Sequence, residues 1–546
     1  MALLGIDLGT TFSAMASLDP NGVPMTIPNA EGELTTPSVV LFEPNGEVIV
    51  GREARRAALA EPSRVAEDVK RHMGDADFPK LLNGKRLTPV GISSLILDKL
   101  RRDAVKRIGR IEGVVITVPA YFDEARRQAT AAAGRLAGLK VIDIVNEPMA
   151  AALAYAYRGL SAQDQKNLRG FDGPPRTVLV YDLGGGTFDV TVMRIAGSDL
   201  KVLATAGDVQ LGGRDWDERL FIHMADQFLH ANGEDPRDDP ISRQALMMTA
   251  EETKKTLSAR AQATFTVSHA GKTLRGEISR EQFDQLTADL LFRTENRVGR
   301  VLKQAQLSWS QIDEVLATGG SVRMPQVVEM LQRASGKLPN LSLSPDEAVA
   351  HGAAIHAAVC AVSKKELPKD SVADTRSEPV TDPDGESPGF LSQLKGRVLD
   401  LLRSIRTTNV NAHSLGVVAR LAGDEERVSV LIPHDTQLPV SVTKRFGTVS
   451  DNQKTVTVCV VEGESPDPAE CMVVGSCQIR QLTPNLPKGS PIEVTFAYDN
   501  SGRLNVKAIE VKSGNWAEAT IHRRSGIAQA TLEYDPSDKA ASGPAR

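Results

Sequence analysis

Two short segments of this 546-residue chain carry the residues best suited to chemistry. Asp7-Leu8-Gly9-Thr10-Thr11-Phe12 follows the apolar run Leu3 to Ile6, and Asp182-Leu183-Gly184-Gly185-Gly186-Thr187-Phe188-Asp189 follows Val178 to Tyr181. Each reads as a β-strand that ends in an acid and then turns tightly. Glycines let backbone N–H groups reach phosphate oxygens where a Cβ would block them, and the threonines add hydroxyls. The acid at each strand end suits Mg²⁺ or its waters. Two ordinary hairpin turns are the plain alternative, because Asp and Gly populate turns for local reasons. A turn requires neither the repeated Thr-Phe nor the strand-end Asp, so the pair reads as duplicated halves closing on one nucleotide.

The segments that must position these turns share one grammar. Gly113 to Val118 reads as a strand, Asp123 as the cap of an Ala-rich helix to Leu139, and Val141 to Val145 as a second strand, giving a parallel β-α-β unit. Asn146-Glu147-Pro148 follows, with an Ala-rich helix through Tyr155, so Glu147 falls at a strand's carboxyl end. Glu314 to Thr318, the turn Gly319-Gly320-Ser321 and a helix opened by Pro325 repeat the pattern. Ligands gather at strand carboxyl ends in open α/β sheets, which predicts Asp7, Glu147, Asp182 and Gly319 around one cleft. Residues 1–361 thus read as an α/β domain.

Beyond it, 362–409 reads as a linker, Pro-rich and polar from Lys364 to Gly389. Within it, Phe390, Leu391, Leu394, Val398, Leu401, Leu402 and Ile405 recur at helical spacing, predicting an amphipathic helix over 390–406 that docks on a neighbouring domain. Residues 410–523 alternate in β fashion: Val428 to Ile432, Val440 to Phe446, Thr455 to Val461, Ile492 to Tyr498 and Leu504 to Ile509, with Asp499-Asn500-Ser501-Gly502 as a hairpin turn. This predicts an all-β sandwich or barrel-like unit, followed by a disordered tail over 524–546.

Composition narrows the function classes. With 41% hydrophobic and 24% charged residues the chain is an ordinary globular protein, and its length accommodates roughly three or four structural units. A net charge of −5 gives no electrostatic reason to expect nucleic acid or a polybasic membrane anchor. No apolar run is long enough to span a membrane and no secretory signal is visible, so the expected address is cytoplasmic. Cys360, Cys459, Cys471 and Cys477 form no C-x-x-C pair, which predicts reduced thiols rather than a zinc finger, with a Cys471 to Cys477 bridge as the alternative.

Val118-Pro119-Ala120-Tyr121-Phe122, Asn146-Glu147-Pro148, Gly319-Gly320-Ser321 and Pro345-Asp346-Glu347-Ala348-Val349, together with the two phosphate turns, resemble the seventy-kilodalton heat-shock chaperones, the Hsp70/DnaK family. Ser414-Leu415-Gly416, Asp451-Asn452-Gln453, Glu462-Gly463-Glu464, Ile492 to Phe496 and Gly502 to Val506 resemble the peptide-binding β-sandwich of that family. The resemblance implies an actin-like duplicated ATPase domain followed by a groove for extended apolar peptides, in a cytoplasmic stress-response protein. ATP and Mg²⁺ would be its cofactors. Lys70 would be the catalytic lysine near the γ-phosphate; Asp7, Glu147 and Asp182 would surround Mg²⁺ through its waters; Thr10, Thr11 and Thr187 would meet phosphates or the attacking water. Gly9, Phe12, Gly184, Gly185, Gly186, Gly212 and Gly213 belong to the same nucleotide site. Gly319, Gly320, Ser321, Arg323 and Asp346 would form the adenosine side, opposite Glu251, Lys254, Lys255 and Ser258, whose spacing shares one helical face. Arg135 resembles the arginine that meets J-domain cochaperones, and a nucleotide exchange factor is implied as a further partner. Val417, Ala419, Phe446, Val449, Val456 and Val458 align with peptide-groove positions. Each assignment has a plainer alternative: a cap or turn acid, a solvated charged stripe, an exposed helix arginine, or simple sandwich core.

The chain also departs from the family pattern. Lys255 stands where the family has an arginine, whose planar guanidinium stacks better on adenine, and Arg214 replaces an acid expected near the ribose. The stretch between Lys70 and Val118 is short, the linker Ser404 to Ala412 is polar where an apolar one is expected, and no C-terminal helical lid is expected after Arg524. These departures keep a second reading open, an ATP-binding scaffold or regulatory peptide binder with weak interdomain coupling. A small-molecule kinase or an actin-like filament protein leaves residues 410–523 unexplained.

Overall fold

The computed structural model describes residues 1–157, 174–366, 389–420, 425–480, 482–499, 504–512, 514 and 516–521. The expected hairpin turn at 499–502 lies mostly outside these residues, as do nearly all of 364–389 and the tail 524–546.

Two sheets of similar topology carry the first region. In one, Ala2–Asp7 pairs antiparallel with Phe12–Leu18 and parallel with Ile111–Val118, which pairs in turn with Val141–Asn146. In the other, Arg176–Leu183 pairs antiparallel with Phe188–Ala196 and parallel with Glu314–Thr318, and Asp199–Asp208 extends the far side. The hairpins match position for position: Asp7 faces Ala14 as Asp182 faces Asp189. The apolar runs bury completely, as strands covered on both faces must: Leu4, Ile6, Val178, Val180 and Tyr181 are inaccessible.

Helices cover the sheets where capping chemistry predicts. The Asp123 carboxylate accepts the Arg126 N–H at the start of helix Glu124–Leu136. Glu147–Tyr157 and Ala348–Glu366 pack against each other so closely that a Cβ on Gly352 would lie 1.8 Å from the Ala150 carbonyl oxygen. Only glycine fits there.

The amphipathic pattern over 390–406 forms two helices rather than one, Phe390–Gln393 and Gly396–Ser404. Leu394 and Lys395 are extended between them, which turns Leu394 into the core. Phe390, Leu394, Val398, Leu402 and Ile405 join one buried cluster with Tyr157, Leu200 and Val362 of the first region. Immediately afterwards Arg406–Thr408 adds as a parallel strand to Asp199–Asp208. A polar segment can do this because strand pairing uses backbone groups.

Residues from Leu415 onward form two four-stranded sheets. The expected strands appear within two residues of their predicted ends, and Leu415–Arg420, Met472–Arg480 and Trp516–Ile521 are additional. Alternation builds the core between the sheets: Ile492, Val494 and Phe496 are buried while Glu493 and Thr495 are not. All four cysteines are free, so the Cys471 to Cys477 bridge is not formed. Among the described residues, no helix is long and apolar enough to cross a membrane.

Candidate functional site

The two glycine turns meet face to face. A Cβ on Gly185 would stand 2.1 Å from Thr11 Oγ1, and one on Gly186 would stand 2.5 Å from Thr10 Cγ2. The third turn locks behind them: Gly319, at φ +84°, would put a Cβ 2.4 Å from the Leu183 carbonyl oxygen, and Ser321 Oγ donates to the Gly184 carbonyl at 2.9 Å. Larger residues at these points would force the sheets apart.

Between the turns opens a cleft of about 410 Å³. Lys70, Glu147, Asp182 and Thr187 line it with Asp7, Gly9, Thr10, Thr11, Phe12, Gly184 and Gly185. On its other side stand Glu251, Lys254, Lys255 and Ser258, all from helix Pro240–Ala259, facing Gly319, Gly320, Ser321, Arg323 and Asp346. Gly186, Gly212 and Gly213 stand behind this lining, where Gly213 N donates to the Gly184 carbonyl and Lys254 Nζ donates to the Gly213 carbonyl.

The floor of the cleft is an excess of buried acid. Lys70 Nζ lies 2.5 Å from Glu147 Oε1, and Asp7 Oδ1 accepts from Thr117 Oγ1 at 2.9 Å. Burial by itself would lower Lys70, but Glu147, Asp7 and Asp182 outweigh it and hold the ammonium above its usual value. The acids pay the reverse penalty. Burial, augmented by Asp7, pushes Glu147 up to about 7 despite Lys70. Burial with Glu147 and Asp189 beside it drives Asp182 well above the carboxylate range, and Asp7 is raised mainly by burial. One lysine cannot neutralise this set if every acid is ionised, and the cluster offers a cation a ready set of donors. Carboxylate oxygens are hard donors of the kind Mg²⁺ takes, usually while keeping several waters, and the residues fit that ion.

Three ion pairs tie the walls of the cleft together. Arg55 reaches Glu251 at 2.5 Å, Arg71 reaches Asp215 at 2.6 Å, and Arg214 reaches Asp68 at 3.1 Å. Burial alone would raise Glu251, yet Arg55 and Lys255 outweigh it and hold it at about 2. The two departures from the family pattern are thereby engaged: Lys255 pairs with Glu251, and Arg214 crosses to Asp68.

Sequence reasoning missed Asp189, Arg55 and Arg71. Asp189 is fully buried, accepts the Tyr121 N–H at 3.0 Å, and is pushed up to about 8 by burial and by Glu147. Its signal was present in the repeat, because the equivalent hairpin position is Ala14 and the duplication does not require an acid there. Arg55 and Arg71 are surface-like in sequence, and their cross-cleft partners come from distant segments.

The groove candidates divide. Val417 and Val458 are buried in the sandwich core, Phe446 and Val456 are half-buried against it, Ala419 is half-buried, and Val449 is exposed. Arg135 is exposed in the last turn of its helix.

A family model described as "Hsp70 protein" matches residues 3–370 and 394–541. The "Chaperone protein DnaK" of Thermotoga neapolitana is 38% identical over 540 residues, covering 97% of this chain and 82% of its own length. That of Thermotoga petrophila is 38% identical over 536 residues, covering 96% and 81%. Matched from its first strand through both large regions, with the duplicated glycine turns closed on one acid-floored cleft, the chain belongs to the Hsp70 family of chaperones.

Proposed function

We propose that this chain is an ATPase whose nucleotide state controls the affinity of its C-terminal sandwich for extended apolar polypeptide. The observation that carries this reading is the pair of glycine turns interlocked over the buried Lys70, Glu147, Asp7 and Asp182 cluster. A cleft of about 410 Å³ is within the usual range for a small-molecule or cofactor site. Thr10, Thr11 and the glycine turns would grip the phosphates. Glu251, Lys254, Lys255 and Ser258 on one side, with Gly319 to Arg323 and Asp346 on the other, would hold the nucleoside. Asp7, Glu147 and Asp182 would hold Mg²⁺, which when bound neutralises charge on the transferring phosphoryl group. Lys70, kept cationic by its carboxylate neighbours, places positive charge beside that group, while Thr187 orients the attacking water.

The runner-up, a scaffold without coupling, is less favoured because the segment between the regions is engaged. Its helix Gly396–Ser404 is packed into the first region and Arg406–Thr408 extends the second sheet. Partners of the family kind, unfolded polypeptides, a J-domain cochaperone at Arg135 and a nucleotide exchange factor, follow from the same reading.

The test is release of a fluorescent apolar peptide from the purified chain in Mg·ATP and in Mg·ADP, with Lys70→Ala alongside. Release is expected to be faster in ATP. K70A should retain ATP-accelerated release while losing about 10²–10³-fold in hydrolysis, the loss typical of removing one transition-state donor. Equal release in both nucleotides, with ATP binding verified separately, would leave the scaffold reading.

A further inference from the structure

We propose that Asp143, His356 and Cys360 form a second metal site, for a thiolate-compatible divalent cation such as Zn²⁺, separate from the nucleotide cleft. Asp143 sits on the edge strand Val141–Asn146, and helix Ala348–Glu366 lies against that strand. His356 and Cys360 are four residues apart on this helix, so they project from one face. One ligand atom from each of the three residues lies within 4.8 Å of the others. None of them lines the cleft.

The separations are close to those of a coordination sphere. With metal bonds of roughly 2.0–2.3 Å and tetrahedral angles, ligand atoms stand about 3.3–3.6 Å apart. Cys360 Sγ is 3.7 Å from Asp143 Oδ2, already near that value. His356 Nε2 is 2.7 Å from the same oxygen, a hydrogen bond that must open by roughly half an ångström to admit the ion. The other Asp143 oxygen accepts the Ile144 N–H at 2.9 Å, which orients the carboxylate as outer-shell hydrogen bonds orient metal ligands.

His356 is buried, with its Nε2 aimed at Asp143. Cys360 and Asp143 are only half-buried, which leaves an approach from solvent. Thiolate, imidazole and carboxylate together are a borderline-soft set, suited to Zn²⁺ or Co²⁺ and poorly suited to Mg²⁺, so the two sites select different ions. Three protein ligands leave a fourth position for water. On binding, the thiol proton and the Nε2 proton are displaced, because the ligating atoms must be deprotonated. The occupied site would pin the edge strand to the helix on which Gly396–Ser404 docks.

The experiment titrates Co²⁺ into chelator-stripped full-length protein held in excess Mg²⁺, which occupies the carboxylate cleft. One equivalent should give a thiolate-to-cobalt charge-transfer band and the visible bands of tetrahedral Co²⁺, both bleached by Zn²⁺. The band should persist in C459S/C471S/C477S, which keeps Cys360 as the one thiol, and vanish in C360S. H356Q and D143N should each weaken Zn²⁺ binding by roughly tenfold or more in competition with a chromophoric chelator. Absence of the band in the folded triple variant, or its retention in folded C360S, overturns the proposal.

Discussion

Asp189 keeps its proton at neutral pH when the cleft holds no cation, because burial and Glu147 push it up to about 8 from 3.8. An acid whose folded value is raised contributes stability below its unfolded value and loses that contribution as pH climbs to the folded one. For Asp189 the loss runs from about pH 4 to pH 8 and then levels. Asp189→Asn removes the titration while keeping an oxygen to accept the Tyr121 N–H. In metal-free, nucleotide-free protein, the stability of D189N relative to the parent should rise across that window and level above it. Denaturant melts at pH 5, 6.5 and 8 check this; a difference independent of pH would mean that the aspartate is ionised throughout. At this scale much of the site was legible. Asp7, Asp182 and Glu147 were marked by their place at the carboxyl ends of apolar runs, whereas Lys70, in the short helix Val69–His72, was marked only by the family resemblance. Arg55 and Arg71 were not legible, since an arginine that bridges a cleft has the same local sequence as one in solvent.

The segment 390–408 shows what periodicity conveys about elements and what it omits. Apolar spacing announced a helical face and its need for a partner. It did not announce the break at Leu394, which follows from the shape of the surface that receives it. Nor did it announce Arg406–Thr408 as a strand, because backbone pairing leaves no hydrophobic signature. Leu402 is the sharpest probe of this docking, being 1% exposed among residues of the first region. Leu402→Asp forfeits about 1.5–3 kcal/mol of apolar burial and adds the cost of a buried charge. The segment should therefore leave its groove, with hydrogen exchange over 396–408 rising to the level of an open chain. ATP affinity should hold, since Leu402 lies outside the cleft, while the ratio of peptide release rates in ATP and ADP should fall towards one. Unchanged exchange in L402D would place the docking energy elsewhere.

Across the whole molecule, the acid cluster and the sandwich are one residue apart. Asp189 accepts the N–H of Tyr121, and the Tyr121 ring packs against His413 in a tilted arrangement, with centroids 4.3 Å apart and planes inclined at 59°. His413 belongs to a stem fixed to the sandwich: Asn411 Nδ2 donates to the His413 and Pro433 carbonyls, and Ser414 N and Oγ both donate to Glu464 at 2.8 Å. A second tie runs from Thr205 N to Asp435 Oδ1 at 3.2 Å. Under the proposed function, a change in charge near Asp189 as nucleotide enters or leaves would act on the Tyr121 backbone N–H, whose ring packs against the sandwich stem. If this contact transmits coupling, His413→Ala removes an aromatic pair worth about 0.5–1.5 kcal/mol, and the ATP-induced acceleration of peptide release should fall by roughly two- to tenfold. Linkage requires the reciprocal effect, so the factor by which bound peptide alters ATP affinity must shrink by the same amount. Basal affinity for ATP and for peptide measured separately should stay near the parent values, since His413 lines neither the cleft nor the sandwich core. A double-mutant cycle with Tyr121→Ala distinguishes the routes: non-additive losses assign the coupling to the ring contact, whereas additive ones assign it to the strand Arg406–Thr408 and the Thr205 to Asp435 tie.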